Sequence, residues 1–195
     1  MTRWTLPAFR TLGRTCKGWV YPLLPRGISG FHAKRRKGLF YRCCDAGVLE
    51  CQREQDRIFW ENYLHPETGG TFWEVGAGDG VVGSHTLGLE LRHAWHGSLW
   101  EPRAKPRQKA QTRRRCQIHD VGDPLAMTES TDLVAIHRPW EFPRLWESLR
   151  VRRLRPRWVI VENPEPDDCW ARVLEGAGYR LKLFFHDDEY YELRS

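Results

Sequence analysis

No apolar run in this chain of 195 residues reaches the length of a membrane-spanning helix. The nearest, over residues 18–24, is short and contains Pro22. A helical integral membrane protein is thereby excluded. No C-x-x-C pair and no histidine pair at zinc spacing occurs among the six cysteines at 16, 43, 44, 51, 116 and 169. No metal site is therefore expected. Cys43, Cys44 and Cys51 are the one conceivable ligand group, and adjacent cysteines rarely point at one tetrahedral centre. Free thiols in a reducing compartment are the better reading. No internal repeat and no low-complexity segment is present. Acidic residues are missing altogether from residues 1–44, which carry ten Lys and Arg. The other residues hold 21 Lys and Arg against all 25 Asp and Glu, a net charge of −4. The overall charge of +6 thus hides a mildly acidic domain behind a basic arm.

The composition sets a division at residue 50, with an arm over 1–50 and a folded domain over 51–195. At 41% hydrophobic, a chain of this size can bury a proper core. The arm has three readings. It resembles an organelle targeting presequence, Arg-rich and acid-free, although Ser29 is its only serine. Within it, Arg26-Gly-Ile-Ser-Gly-Phe-His-Ala33 looks like the region where mitochondrial presequences are cut. Alternatively it is a basic tether to RNA or an anionic membrane, densest at Lys34-Arg35-Arg36-Lys37. The third reading is a solvated leader. Assembly partners could also be held through its tryptophans and cations. Ten tryptophans are many for this length. Trp73, Trp100 and Trp158 fall in expected strands and are assigned to the core.

The pattern after residue 50 alternates. A helix is expected over 52–64, its face formed by Ile58, Phe59, Trp60, Tyr63 and Leu64. Strands are expected over 71–75, 97–100, 116–118, 132–136 and 157–161. Helices are expected over 81–92, 104–115, 141–152 and 166–177. A hairpin over 179–185 and 189–194 closes the chain. Strand–helix alternation implies a parallel sheet with right-handed crossovers, and the hairpin adds one antiparallel strand. That layout is the class I methyltransferase (Rossmann-like) α/β fold.

The densest signal is Thr71-Phe-Trp-Glu-Val-Gly-Ala-Gly-Asp-Gly-Val-Val-Gly83. A strand runs into a glycine-rich turn and then a helix, which brings bare backbone N–H groups up to a ligand. Glycine is needed there for unusual dihedrals and close approach. Glu74, just before Gly76, would repel a pyrophosphate. It suits a ligand with a cationic end or free hydroxyls, of the kind S-adenosylmethionine presents. Two other readings stay open. Gly78, Gly80 and Gly83 also fit the dinucleotide fingerprint, and a glycine-rich turn can hold no ligand at all.

Ligands of open α/β sheets bind beyond the carboxyl ends of the strands. Three early strands end in acids: Glu74, Glu101 and Asp120. Glu101, about 21 residues past Gly80, suits a grip on two ribose hydroxyls. Asp120 is placed to accept from an adenine amino group. Glu74 is placed to steer the methionine end. Gly76, Gly78, Asp79 and Gly80 complete the candidate cofactor set.

These blocks are similar to the FkbM-type methyltransferase family. Glu74 to Thr86 resembles its E-I-G-A-x-D-G-x-x-x-S-N-T run, with His85 for Asn. The block ending Trp100-Glu101-Pro102 resembles its second strand. Gln52 and Gln55-Asp56 resemble its S-Q-x-x-Q-D helix start, which adds Gln55 and Asp56 to the candidate site. Val161-Glu162-Asn163 and Leu174 to Tyr179 also match. The resemblance covers 51–120 well and 157–195 fairly. It implies O-methyl transfer from S-adenosylmethionine to a small-molecule or sugar-like acceptor. One departure is marked. The family's fourth strand ends in an Asp facing the transferred methyl, and here His137 stands in its place, followed by Arg138-Pro139-Trp140-Glu141. His137 is a candidate general base, since its pKa lies near working pH; a remodelled loop without chemistry is the bland alternative. Two other functions compete. One is a catalytically degenerate fold serving as a structural subunit of a larger, mitochondrial assembly. The other is RNA binding or modification through Arg113-Arg114-Arg115 and the cluster at 150–157, although such runs are usually solvated faces.

Overall fold

A computed structural model describes residues 58–66, 69–120, 131–163, 168–185 and 188–194. The arm, Gln52, Gln55, Asp56 and the connection over 121–130 lie outside the described residues.

Among the described residues, seven strands form one sheet: β1 Gly70–Val75, β2 Trp95–Trp100, β3 Gln117–His119, β4 Leu133–Ile136, β5 Trp158–Glu162, β6 Tyr179–Phe185 and β7 Asp188–Leu193. Their order is β3-β2-β1-β4-β5-β7-β6. The first five pair in parallel. β7 is inserted antiparallel between β5 and β6, so it is the single reversed strand. The helices are α1 Leu87–Arg92, α2 Ala104–Arg113, α3 Phe142–Val151 and α4 Asp168–Gly176, and a π-helical turn Trp60–Leu64 precedes β1. Among the described residues, no helix is long and apolar enough to cross a membrane.

The central strands are apolar on both faces, as a covered parallel sheet requires. Alternation then divides each strand between two cores. Val134 and Ile136 of β4, Val159 and Val161 of β5, and Trp73 and Trp100 pack with Phe142, Leu145, Leu149 and Leu174. Those four come from α3 and α4. On the other face Leu133, Ala135, Trp158 and Ile160 pack with Phe59, Leu64, Leu89 and Trp95. Trp73, Trp100 and Trp158 are all buried, as the sequence pattern indicates. Phe59 meets Trp158 edge-on at 4.8 Å and lies 5.2 Å from Tyr190, so the turn before β1 closes its face with an aromatic cluster.

The helix expected over 81–92 is a correction. It begins only at Leu87. Side chains divert the backbone before it: Asp79 accepts from the N–H groups of Val81 and Val82 at 3.3 and 3.0 Å. Glu74 then takes the N–H of His85 at 3.1 Å and the hydroxyls of Ser84 and Thr86. Short polar side chains and carboxylates compete in this way with helical bonding.

Gly97 of β2 lies opposite Phe72 of β1. A Cβ there would stand 1.9 Å from the Phe72 carbonyl oxygen. Backbone cannot step aside as a side chain can, so Gly97→Ala is expected to lower stability by about 1–3 kcal/mol through overpacking. A thermal melt reads it, and an unchanged midpoint contradicts the pairing.

Candidate functional site

β1 ends at Val75, and the chain turns through Gly76, Gly78, Gly80 and Gly83, all at φ between 62° and 78°. This is the left-handed region that L side chains avoid. The N–H groups expected to be bare are not. Gly76 and Ala77 donate to the Trp100 carbonyl, Gly78 to Glu101, and Gly80 to the Ala77 carbonyl. A pyrophosphate cradle requires free donors. Four N–H groups already engaged weigh against the dinucleotide reading.

Glu101, at the end of β2, is buried. Its oxygens accept from Gly78 N at 2.8 Å, Arg103 N at 2.9 Å, Arg103 Nε at 2.8 Å and Arg103 Nη2 at 3.0 Å. Arg138 Nη2 donates to both oxygens, at 3.1 and 3.4 Å. Burial raises the Glu101 pKa, but the Arg103 and Gly78 hydrogen bonds and the Arg138 charge outweigh it and hold the carboxyl below its ordinary range. A nucleoside that bonds Glu101 through two hydroxyls must displace these guanidiniums. Arg103 is the easier, with its side chain 59% exposed. Its guanidinium can therefore turn to water when ribose hydroxyls take over as donors to the buried Glu101 carboxylate. On that count the residues fit an adenosine ligand.

Glu74 is fully buried and serves the protein itself. It ties Ser84, His85 and Thr86 as described above, and lies 2.6 Å from His137 Nε2 and 3.7 Å from Arg114 Nη1. Burial raises its pKa, yet the His137 hydrogen bond and the His137 and Arg114 charges prevail and lower it to about 2.

His137 bridges two carboxylates: Nε2 to Glu74, and Nδ1 to Glu162 at 3.1 Å. Burial opposes its charge, but the Glu162 and Glu74 hydrogen bonds win and push the pKa up to about 10. With both ring nitrogens donating, the imidazolium has no lone pair for an incoming proton. The general-base role expected of His137 therefore gives way to a positioning role, in which a cation joins the ends of β1, β4 and β5. His85 stacks on it, with centroids 4.6 Å apart and planes 12° apart. Burial above all holds the His85 pKa low, so one ring of the pair is neutral.

One residue central to this network was hidden in the sequence. Arg114 reads as part of a solvated basic run, yet its side chain is fully buried. Nε donates to Glu90 at 2.9 Å, Nη1 to the Gly80 carbonyl and Ser84 Oγ at 2.9 Å each, and Nη2 to Thr86 Oγ1 at 2.9 Å. Nη2 also lies 2.8 Å from Glu90 Oε2. All five guanidinium N–H groups thus have acceptors, and the glycine turn is clamped to α1 and the end of α2. The only signal available was a pair of acids, Glu74 and Glu90, in apolar surroundings that demand a cation.

Asp79 caps the turn, and Asp120 follows β3 in an exposed position. Glu74 and Glu101 line the turn while Asp120 stands apart in burial, so the three acids do not share one environment. Gln55 and Asp56 lie outside the described residues. Cys116 is a half-buried free thiol whose pKa burial pushes up to about 12. Among the described residues no cluster of three metal-ligating side chains occurs.

No family model matches the chain, and no curated protein matches its sequence. Solved structures do match its fold. Ribosomal protein L11 methylase from Lactobacillus delbrueckii subsp. bulgaricus superposes with a TM-score of 0.58 at 11% identity, covering 73% of this chain and 78% of that one. A TehB-like SAM-dependent methyltransferase from Corynebacterium glutamicum gives 0.53 at 11% identity, covering 85% and 100%. Magnesium protoporphyrin IX methyltransferase from Synechocystis PCC 6803, with bound SAM, gives 0.54 at 14% identity, covering 99% and 100%. At these identities the likeness is one of fold, and the fold is the class I, Rossmann-like methyltransferase sheet expected from the strand–helix alternation.

Proposed function

We propose that the chain is an S-adenosylmethionine-dependent methyltransferase of FkbM type, with the adenosine held between the glycine turn and Glu101. One observation carries the reading: a glycine turn of left-handed residues leaves β1 beside a buried carboxylate at the end of neighbouring β2. Switch-point ligands of α/β sheets bind at such strand ends. Adenosylmethionine would supply an electrophilic methyl. This chain's residues would hold the ribose at Glu101 and support the turn through Arg114 and Glu74. The family resemblance points to an oxygen of a small, sugar-like acceptor. A protonated His137 narrows that to an oxygen that arrives ionised, for which alignment suffices. The acid-free arm over 1–44 fits delivery to mitochondria.

Replacing Glu101 tests the cofactor half. Charge-assisted hydrogen bonds contribute roughly 1.5–3 kcal/mol each, so Glu101→Ala is expected to weaken S-adenosylhomocysteine binding at least about tenfold by calorimetry. Unchanged affinity rejects the site.

A second reading has its own observation. The fourth-strand acid of the family is replaced by a cation locked between Glu74 and Glu162. That suits a fold retained as a structural subunit, with no turnover. Cofactor bound by the purified protein, with no methyl transferred to any ionised acceptor offered, favours this second reading.

A further inference from the structure

Arg138 follows the end of β4 and lies over the first glycine of the turn. A Cβ on Gly76 would come within 3.0 Å of Arg138 Cγ. The side chain is 15% exposed, with Nη2 on Glu101 and Nη1 3.2 Å from Glu141 Oε1. Its backbone carbonyl accepts from Glu141 N at 2.9 Å, which fixes the turn that carries it. A guanidinium therefore stands between the ends of β1 and β2, where a ligand cradled by the glycines must lie.

What happens to it when ribose hydroxyls take Glu101 rests on the proposed nucleoside site. Arg103 can withdraw into water. Arg138, packed on Gly76, stays near the mouth and keeps only Glu141. A guanidinium offers five N–H groups in a planar fork suited to carboxylates. Arg114 cannot serve the ligand, because its own five are spent. We infer that Arg138 is a specificity-determining residue that receives the ligand's α-carboxylate, exchanging the Glu101 carboxylate for the ligand's own. The site then selects adenosyl compounds that carry an amino-acid end over those that stop at the sulfur substituent. Arg138, next to His137, thus adds a grip on the amino-acid end to the grip of Glu101 on the ribose.

Calorimetry on the full chain with S-adenosylhomocysteine and 5′-methylthioadenosine tests this, since both share the adenosine thioether and only the first has a carboxylate. The wild type is expected to prefer the first by about tenfold or more, one charge-assisted contact's worth. Arg138→Ala and Arg138→Gln are expected to bring the two affinities within about threefold by weakening only the first. Glutamine keeps the stem packed on Gly76, so it guards against loss of fold, and a wild-type preference that both variants retain belongs to the ligand's ammonium and overturns the inference. Equal wild-type affinities overturn the inference and leave the nucleoside site standing. So does a variant that binds both ligands more tightly, which makes Arg138 a plug. Absence of binding of either ligand to the wild type and to both variants overturns the nucleoside site and the inference with it.

Discussion

Arg114→Ala is expected to lower the unfolding free energy by about 3–5 kcal/mol, the cost of breaking a buried ion pair from one side. The guanidinium is fully buried and neutralises Glu90 directly and Glu74 at 3.7 Å. Its loss strands Glu90 away from water, leaves Glu74 with His137 as its cation, and leaves Ser84, Thr86 and the Gly80 carbonyl without their donor. Single-domain proteins have only about 5–15 kcal/mol in total, so the variant is near the limit of folding. Arg114→Lys is expected to recover little. An ammonium has three donors on one point, and five acceptor contacts spread over three elements need a planar fork. Arg115→Ala, a change at the adjacent exposed position, is the control and should stay within about 0.5 kcal/mol. Urea unfolding gives the comparison, as a shift in midpoint at constant slope. Equal midpoints for the two alanine variants contradict the buried position of Arg114. Because Arg114 holds the Gly80 carbonyl, a folded Arg114→Ala chain should also bind S-adenosylhomocysteine less well than wild type.

Arg114 also marks where sequence reasoning stops. The strands were legible because β4 and β5 are continuous apolar runs, and because acids and glycines punctuate their ends. The closing hairpin was legible, but not that β7 inserts beside β5 and leaves β6 at the edge. Local pattern could not find Arg114, since its partners Gly80, Ser84, Thr86 and Glu90 lie 24 to 34 residues away. In an Arg-Arg-Arg run the buried member looks like its neighbours. The helix start failed for a related reason. The apolar spacing after Val81 has no way to register that Glu74 and Asp79, on the preceding segment, compete for the same backbone donors. Glu101 was singled out by its place at a strand end. Its arginine partners were not, because Arg138 arrives from β4 through tertiary contact alone. His137 was singled out by its place at the end of the fourth strand, and its two carboxylate partners were not. Histidine near neutral pH invites a base reading, and only the positions of Glu74 and Glu162 give both ring nitrogens a carboxylate partner that favours the cation.

That cation predicts how stability depends on pH. Free histidine titrates near about 6.5, while His137 is raised to about 10 in the fold. A raised pKa means the folded state binds the proton more tightly, so the contribution is complete below about 6.5 and falls away as pH rises through about 10. Glu74 runs the other way. Its pKa of about 2 gives a contribution present above the ordinary glutamate range and lost as pH falls toward 2. His137→Leu separates the two. Near pH 6 it is expected to cost about 3 kcal/mol, the lower end for a broken buried pair, because Arg114, Ser84 and Thr86 still support Glu74. Above about pH 10 the wild type has lost the same stabilisation, so the difference between the two proteins should shrink steadily between pH 6.5 and 10. Lysines and tyrosines titrate in both proteins and cancel in that difference. Chemical unfolding at intervals across this range measures it. A constant difference would mean that His137 is neutral in the fold, which restores its lone pair and with it the case for a general base at the end of β4.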